Sequence, residues 1–120
     1  MRHRVRKHLK FSNKSFQHRD AMQRNLLTSF FLHKSIKTTE KKAKLISPMI
    51  DKLINIVNTK DEMNAIRAIM AVLFTKEASL ELFNNVAPKY KGEKTSGFTR
   101  TTAIKQRDWD NAKIVLIELV

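Results

Sequence analysis

Apolar positions in this chain recur at helical spacing from Ser15 to about Val86 and crowd into strand-like runs towards the C-terminus. From Ser15, Met22, Leu26, Leu27, Phe30 and Phe31 follow the i, i+4, i+5, i+8 spacing of one buried helix face, with Ser15 as N-cap. The other face carries Arg19, Gln23, Arg24 and Thr28. Ser35 to Thr38 is a short β-branched interval and predicts a strand. A second helix, capped at Thr38 or Thr39, carries Leu45, Ile46, Met49, Ile50, Leu53, Ile54 and Val57 as one ridge. Pro48 lies inside it and is expected to kink the helix or restart it with Ser47 as cap, since proline cannot donate back one turn. Thr59-Lys60-Asp61-Glu62 has capping-box form and predicts a third helix through Met63, Ile66, Ile69, Met70 and Leu73. Thr75 caps a fourth through Leu82, Phe83 and Val86, which Pro88 is expected to end. The Met and Phe residues on these stripes are assigned to the core.

Gly97–Lys105 and Ala112–Val120 are strand-like, and Asp108-Trp109-Asp110-Asn111 between them supplies turn formers, which predicts a hairpin. The expected architecture is an α/β two-layer domain in the order helix, strand, three helices, two strands. A small three-stranded mixed sheet is covered by helices on one side. Residues 1–14 hold six Lys or Arg, two His and no acid, with too few apolar residues to bury a face. They read as a basic extended arm that orders only on a partner. Residues 15–120 form the single folded domain.

The residues exclude most catalytic chemistry. The chain has only Gly92 and Gly97, so no phosphate-cradling loop exists. There is no nucleophile elbow and no paired carboxylate set. His18-Arg19-Asp20 shares three letters with a kinase catalytic loop, but the remaining kinase parts are missing. Cysteine is absent, which removes disulfides and thiolate zinc sites, and His3, His8, His18 and His33 lack companions at ligand spacing. No enzyme activity, metal, cofactor or small-molecule substrate is expected. No apolar run approaches the roughly 20 residues that span a bilayer, so no membrane partner is expected either.

Charge points to the partner. Thirteen of the 24 Lys and Arg lie in the first 44 residues against two acids, a local net of +11 in a chain of net +13. Residues 45–85 carry a net −1 and residues 86–120 a net +3. Clustering of this kind repels itself unless a polyanion neutralises it, and nucleic acid is the first candidate. The candidate contacts are Arg2, His3, Arg4, Arg6, Lys7, Lys10 and Lys14 in the arm, and His18, Arg19, Arg24 and Asn25 on the first helix. Lys37, Thr38, Thr39, Lys42 and Lys44 follow at the strand-to-helix junction, where orphan N–H groups and hydroxyls meet bases. Lys94, Thr99, Arg100 and Arg107 complete the set. A small nucleoid-type DNA-binding protein is the alternative, though no recognition helix or dimer surface is evident. Anionic-membrane binding would need exposed apolar residues on a basic amphipathic helix.

Several of these segments, taken in order, resemble the ribosomal protein seventeen family of the bacterial large subunit. They are Met1-Arg2-His3-Arg4, His18-Arg19-x-Ala21-Met22-x-Arg24-Asn25, Ile36-Lys37-Thr38-Thr39 with Lys42-Ala43-Lys44, Leu82-Phe83 with Pro88, Gly97-Phe98-Thr99-Arg100, and Asp110-Asn111-Ala112 with Ile117-Glu118-Leu119-Val120. The resemblance spans essentially the whole chain. It implies a structural, non-catalytic constituent of the large ribosomal subunit, cytoplasmic, bound to large-subunit rRNA near the nascent-chain tunnel exit and beside neighbouring ribosomal proteins. The Arg-rich, acid-poor N-terminus also has the composition of a mitochondrial transit peptide. A family resemblance beginning at Met1 argues instead against a cleaved transit peptide. The chain departs from the family in a longer arm with Ser12-Asn13-Lys14, in Ser96, and in Lys105 and Trp109 where the hairpin usually has glycines. That hairpin is expected to turn differently, with Trp109 as a new stacking or protein contact.

Overall fold

In the computed structural model, which describes Phe11 and residues 13–120, helix α1 (Phe16–His33) begins where the pattern requires. The Ser15 hydroxyl accepts the His18 N–H at 3.2 Å, pairing one of the orphan donors of the first turn. The helix buries Leu27, Phe30 and Phe31, and the two phenyl rings meet edge to face at 5.4 Å. Lys34 stops it in the left-handed region (φ 64°), its N–H returning to the Phe30 carbonyl. The chain then enters strand β1 (Ser35–Thr39) and passes directly into α2 (Glu40–Thr59).

Helix α2 is the spine of the molecule. Ala43, Ile46, Ile50, Leu53 and Ile54 are buried along one side of it. Pro48 neither ends nor restarts it; the helix is continuous from Glu40 to Thr59. Pro48 lies on the exposed face, so water can reach the carbonyl of Lys44 that its missing N–H leaves unpaired. Ser47 is no cap. Its hydroxyl bonds the Thr99 hydroxyl at 2.8 Å instead.

The predicted capping box at Thr59 also does not form. Thr59 remains in α2, where its hydroxyl donates to the Asn55 carbonyl at 2.7 Å. Helix α3 (Glu62–Met70) takes Asp61 as its N-cap residue, and the Asp61 carboxylate accepts a bond from the Asn64 side-chain amide rather than from a backbone N–H. Helix α4 (Lys76–Glu81) starts on Thr75 as expected, with Ala78 N–H on the Thr75 hydroxyl at 3.3 Å. Its continuation differs from expectation. A π-helical turn (Leu82–Val86) follows, then α5 (Ala87–Tyr90), so the helical path runs past Pro88. The wider turn draws the Ala87 N–H to the Leu82 carbonyl, which opens the ladder just where a proline ring would otherwise crowd the preceding turn.

Strands β2 (Thr99–Gln106) and β3 (Lys113–Leu119) form the predicted hairpin. The sheet order is β1-β3-β2, and both pairings are antiparallel. The expected mixed sheet is therefore corrected. β1 and β2 do run in the same direction, but β3 lies between them, so no parallel pair is hydrogen-bonded.

One face of the sheet lies on α2. Val115 and Ile117 are buried there, and Ile36 packs against the same core. Asp51 of α2 fastens the entry to β2 by accepting the Gly97 and Phe98 N–H groups at 3.2 and 3.3 Å. Gly97 takes φ 70°, a conformation that other residues adopt only with strain. Tyr90 stacks obliquely on Phe98 at 4.9 Å and donates its hydroxyl to the Val120 carbonyl at 2.7 Å. Burial, with Glu93 nearby, pushes its phenol upward from the usual value.

The core assignment fails on α3. Ala65 and Ile69 are buried, whereas Met63 and Met70 are 62% and 63% exposed, with Ile66 and Phe74 also largely open. Residues 63, 66 and 70 form a second stripe beside the buried one. The nine-residue helix packs on α2 and α4, and only the side carrying Ala65 and Ile69 is buried. Periodicity marks both stripes alike.

Candidate nucleic-acid interface

The outer face of the sheet is built by strand alternation. Residues opposite one another in a ladder share a face. The register gives three rows pointing away from α2: Ser35–Glu118–Arg100, Lys37–Leu116–Thr102 and Thr39–Ile114–Lys105. A bulge between Ala103 and Lys105 turns Lys105 onto this face and pushes Ile104 outward. The result is a surface of hydroxyls and cations, with Glu118 beside Arg100, around a partly exposed apolar centre. No described element packs over it.

Arg100 lies along this face, one guanidinium nitrogen 2.9 Å from Glu118, with side chains 65% and 30% exposed. An ion pair so open to water contributes little stability. Its other N–H groups remain available to a phosphate, which a guanidinium can grip with two parallel bonds. Thr102 and Lys105 share the face, and neither is among the contacts that the sequence suggests. The period of two from Arg100 marks Thr102; the bulge that brings in Lys105 has no sequence signal.

At the end of β1 the chain turns into α2 through Thr39, whose hydroxyl makes no cap bond. Glu40 occupies the first turn and pairs with Lys44 at 3.3 Å. The helix start thus already holds a carboxylate, which weakens its reading as an open anion site. Lys42 is half-buried beside it. Lys41 lies 4.4 Å from the Phe11 ring centroid, a cation–π contact that seats the first described residue at this end of α2. Arg2, His3, Arg4, Arg6, Lys7 and Lys10 lie outside the described residues, and with them almost the whole arm. Lys14 follows in a turn, its N–H on the Phe11 carbonyl at 3.0 Å.

Not every predicted contact faces outward. Thr38 stands opposite buried Val115 and so faces α2. Thr99 is bonded to Ser47 beneath the sheet. Arg24 is engaged within the fold. Its Nε donates to the Val72 carbonyl at 2.8 Å and its guanidinium lies 4.2 Å from the Phe74 ring centroid. Thr28, one turn on, donates to the Arg24 carbonyl and accepts the Phe74 N–H. Together they sew the linker after α3 onto α1. His18 and Asn25 are exposed on α1, with Arg19 half-buried among them. Lys94 sits over Tyr90 and Phe98 and donates to the Gly97 carbonyl at 3.2 Å. Arg107 grips Asp110 at the hairpin tip with two bonds, of 3.1 and 2.6 Å.

Among the described residues no group of three or more His, Cys, Asp or Glu is placed to hold a metal ion. No described helix is long and apolar enough to cross a membrane.

Residues 22–120 match the family model described as Ribosomal protein L17. The chain is 40% identical over 102 residues to the large ribosomal subunit protein bL17 of Clostridium perfringens (strain SM101 / Type A), covering 85% of this chain and 88% of that protein. It is 39% identical over 111 residues to the protein of the same name from Chloroflexus aurantiacus (strain ATCC 29366 / DSM 635 / J-10-fl), covering 92% and 94%. With that of Pelobacter propionicus (strain DSM 2379 / NBRC 103807 / OttBd1) it shares 38% over 103 residues, covering 86% and 80%. The chain belongs to the ribosomal protein L17 family.

Proposed function

We propose that this protein is a structural, non-catalytic constituent of the large ribosomal subunit that binds and stabilises large-subunit rRNA near the nascent-chain tunnel exit. Family membership supports the place in the large subunit. The observation that carries the RNA contact is the uncovered sheet face, where Lys37, Arg100 and Lys105 stand among Thr39 and Thr102. Cations and hydroxyls at strand spacing suit phosphates and ribose hydroxyls and read no base sequence. The bases around the start of α2 have the same chemistry, and the six Lys and Arg of residues 1–14 add to the positive charge of the chain. Neighbouring ribosomal proteins complete the surroundings, and the location at the tunnel exit is what the family resemblance implies.

The chain has no cysteine, so a single introduced one is the only attachment point for a tethered cleavage reagent. Thr102→Cys carrying iron-EDTA, assembled into large subunits, is expected to cut rRNA strands around the tunnel exit. Cuts clustered elsewhere, with none near the exit, would contradict the placement.

A further inference from the structure

Trp109 stands at the tip of the β2–β3 hairpin with 79% of its surface exposed. Large aromatic surface facing water is costly, and the turn beneath it is built to keep it there. Arg107 N–H donates to the Ala112 carbonyl, and Asn111 N–H to the Arg107 carbonyl, both at 2.9 Å. Asn111 takes φ 55°, which asparagine tolerates better than most residues. Asp110 accepts Nε and Nη2 of Arg107 and the Ala112 N–H. Its carboxyl is held below the usual range by the Arg107 hydrogen bonds and then by the Ala112 N–H, while the same pair raises Arg107. The pinned guanidinium lies 5.0 Å from the Trp109 ring centroid. The indole is thereby oriented before any partner arrives.

We propose that this tip is a stacking platform for an unpaired RNA base, with Trp109 as the plane and Arg107 as the support that fixes its angle. The proposal rests on the rRNA-binding reading above. A protein partner is disfavoured because protein interfaces bury a contiguous apolar patch. Trp109 projects alone among Asp108, Asp110 and Asn111, all exposed. A base needs only one flat face. Lys105 and Lys113 at the end of the hairpin supply cations for the adjoining phosphates, and they outweigh Asp108, the acid here not bonded to Arg107. Aromatic stacking tolerates any base, so the site would select single-stranded over paired RNA rather than one sequence over another.

Trp109 is the only tryptophan, so its emission reports this site directly. The full chain is titrated at low salt with a short oligoadenylate and with an RNA duplex of equal length, binding being followed independently by anisotropy. The single strand is expected to quench the emission, and the duplex at equal occupancy to leave it unchanged. Trp109→Ala should weaken single-strand binding roughly tenfold with duplex affinity unaltered, and Trp109→Phe should keep most of it. Binding of the single strand without quenching, or at full affinity by Trp109→Ala, would overturn the proposal. So would emission that responds only to large-subunit proteins. Failure of both RNAs to bind would remove the rRNA-binding reading and this inference together.

Discussion

Raising monovalent salt from about 50 to 200 mM is expected to weaken binding to large-subunit rRNA by about 10³- to 10⁵-fold, the loss typical of six to ten phosphate contacts. Each neutralised phosphate releases counterion, so log affinity falls with log salt by roughly 0.7–0.9 per contact. The molecule has the cations for this. Among the described bases, Lys34, Lys44, Arg100 and Arg107 have an acidic partner within 4.0 Å, and all four pairs are partly open to water. A net charge of +13 is left for the partner to neutralise. Binding isotherms across a salt series measure the slope. A magnitude below about 2 would contradict a phosphate-dominated interface.

Arg24→Ala and Arg100→Ala should separate stability from binding, although both arginines read alike in sequence. Arg24→Ala removes a charge-assisted bond to the Val72 carbonyl and a stacking contact on Phe74. The partly buried carbonyl is left without its donor, and the expected cost is about 2 kcal/mol, seen as a midpoint several degrees lower. Arg100→Ala breaks only a surface pair with Glu118 and should change stability by no more than about 0.5 kcal/mol. It should instead lower rRNA affinity and reduce the salt slope by about one contact. Thermal melts and salt titrations of both variants test this. A destabilised Arg100→Ala, or an Arg24→Ala that melts like the parent, would reverse the assignment.

The contrast shows where the sequence is legible. Helix α1, its Ser15 cap, the α2 ridge and the terminal hairpin follow from local periodicity and turn chemistry, and each stands where those rules place it. The sheet order does not, because which strand lies between two others is decided by long-range packing on α2. Arg24 sits on the polar side of α1 by count. A long side chain can nevertheless reach back to a carbonyl of another segment, and no spacing rule reveals that. Thr59 and Asp61 both suit a helix start; the longer α2 retains Thr59, and the start falls to Asp61. The π turn before Pro88 is likewise invisible locally, since residues 82–86 carry ordinary helix formers beside two asparagines. For the candidate interface, the sequence marks Arg100 and Lys37, and their neighbourhood across β3 emerges only from the register.

On the function proposed above, rRNA holds the protein in the large subunit as a built-in part. Sedimentation of cell extract through a high-salt gradient, with the protein detected by antibody in each fraction, tests it most directly. The protein is expected to travel with the large subunit, because contacts made together in an assembled particle resist the salt that strips a singly bound protein. Recovery at the top of the gradient, or with nucleoid DNA after the subunits have separated, would contradict it.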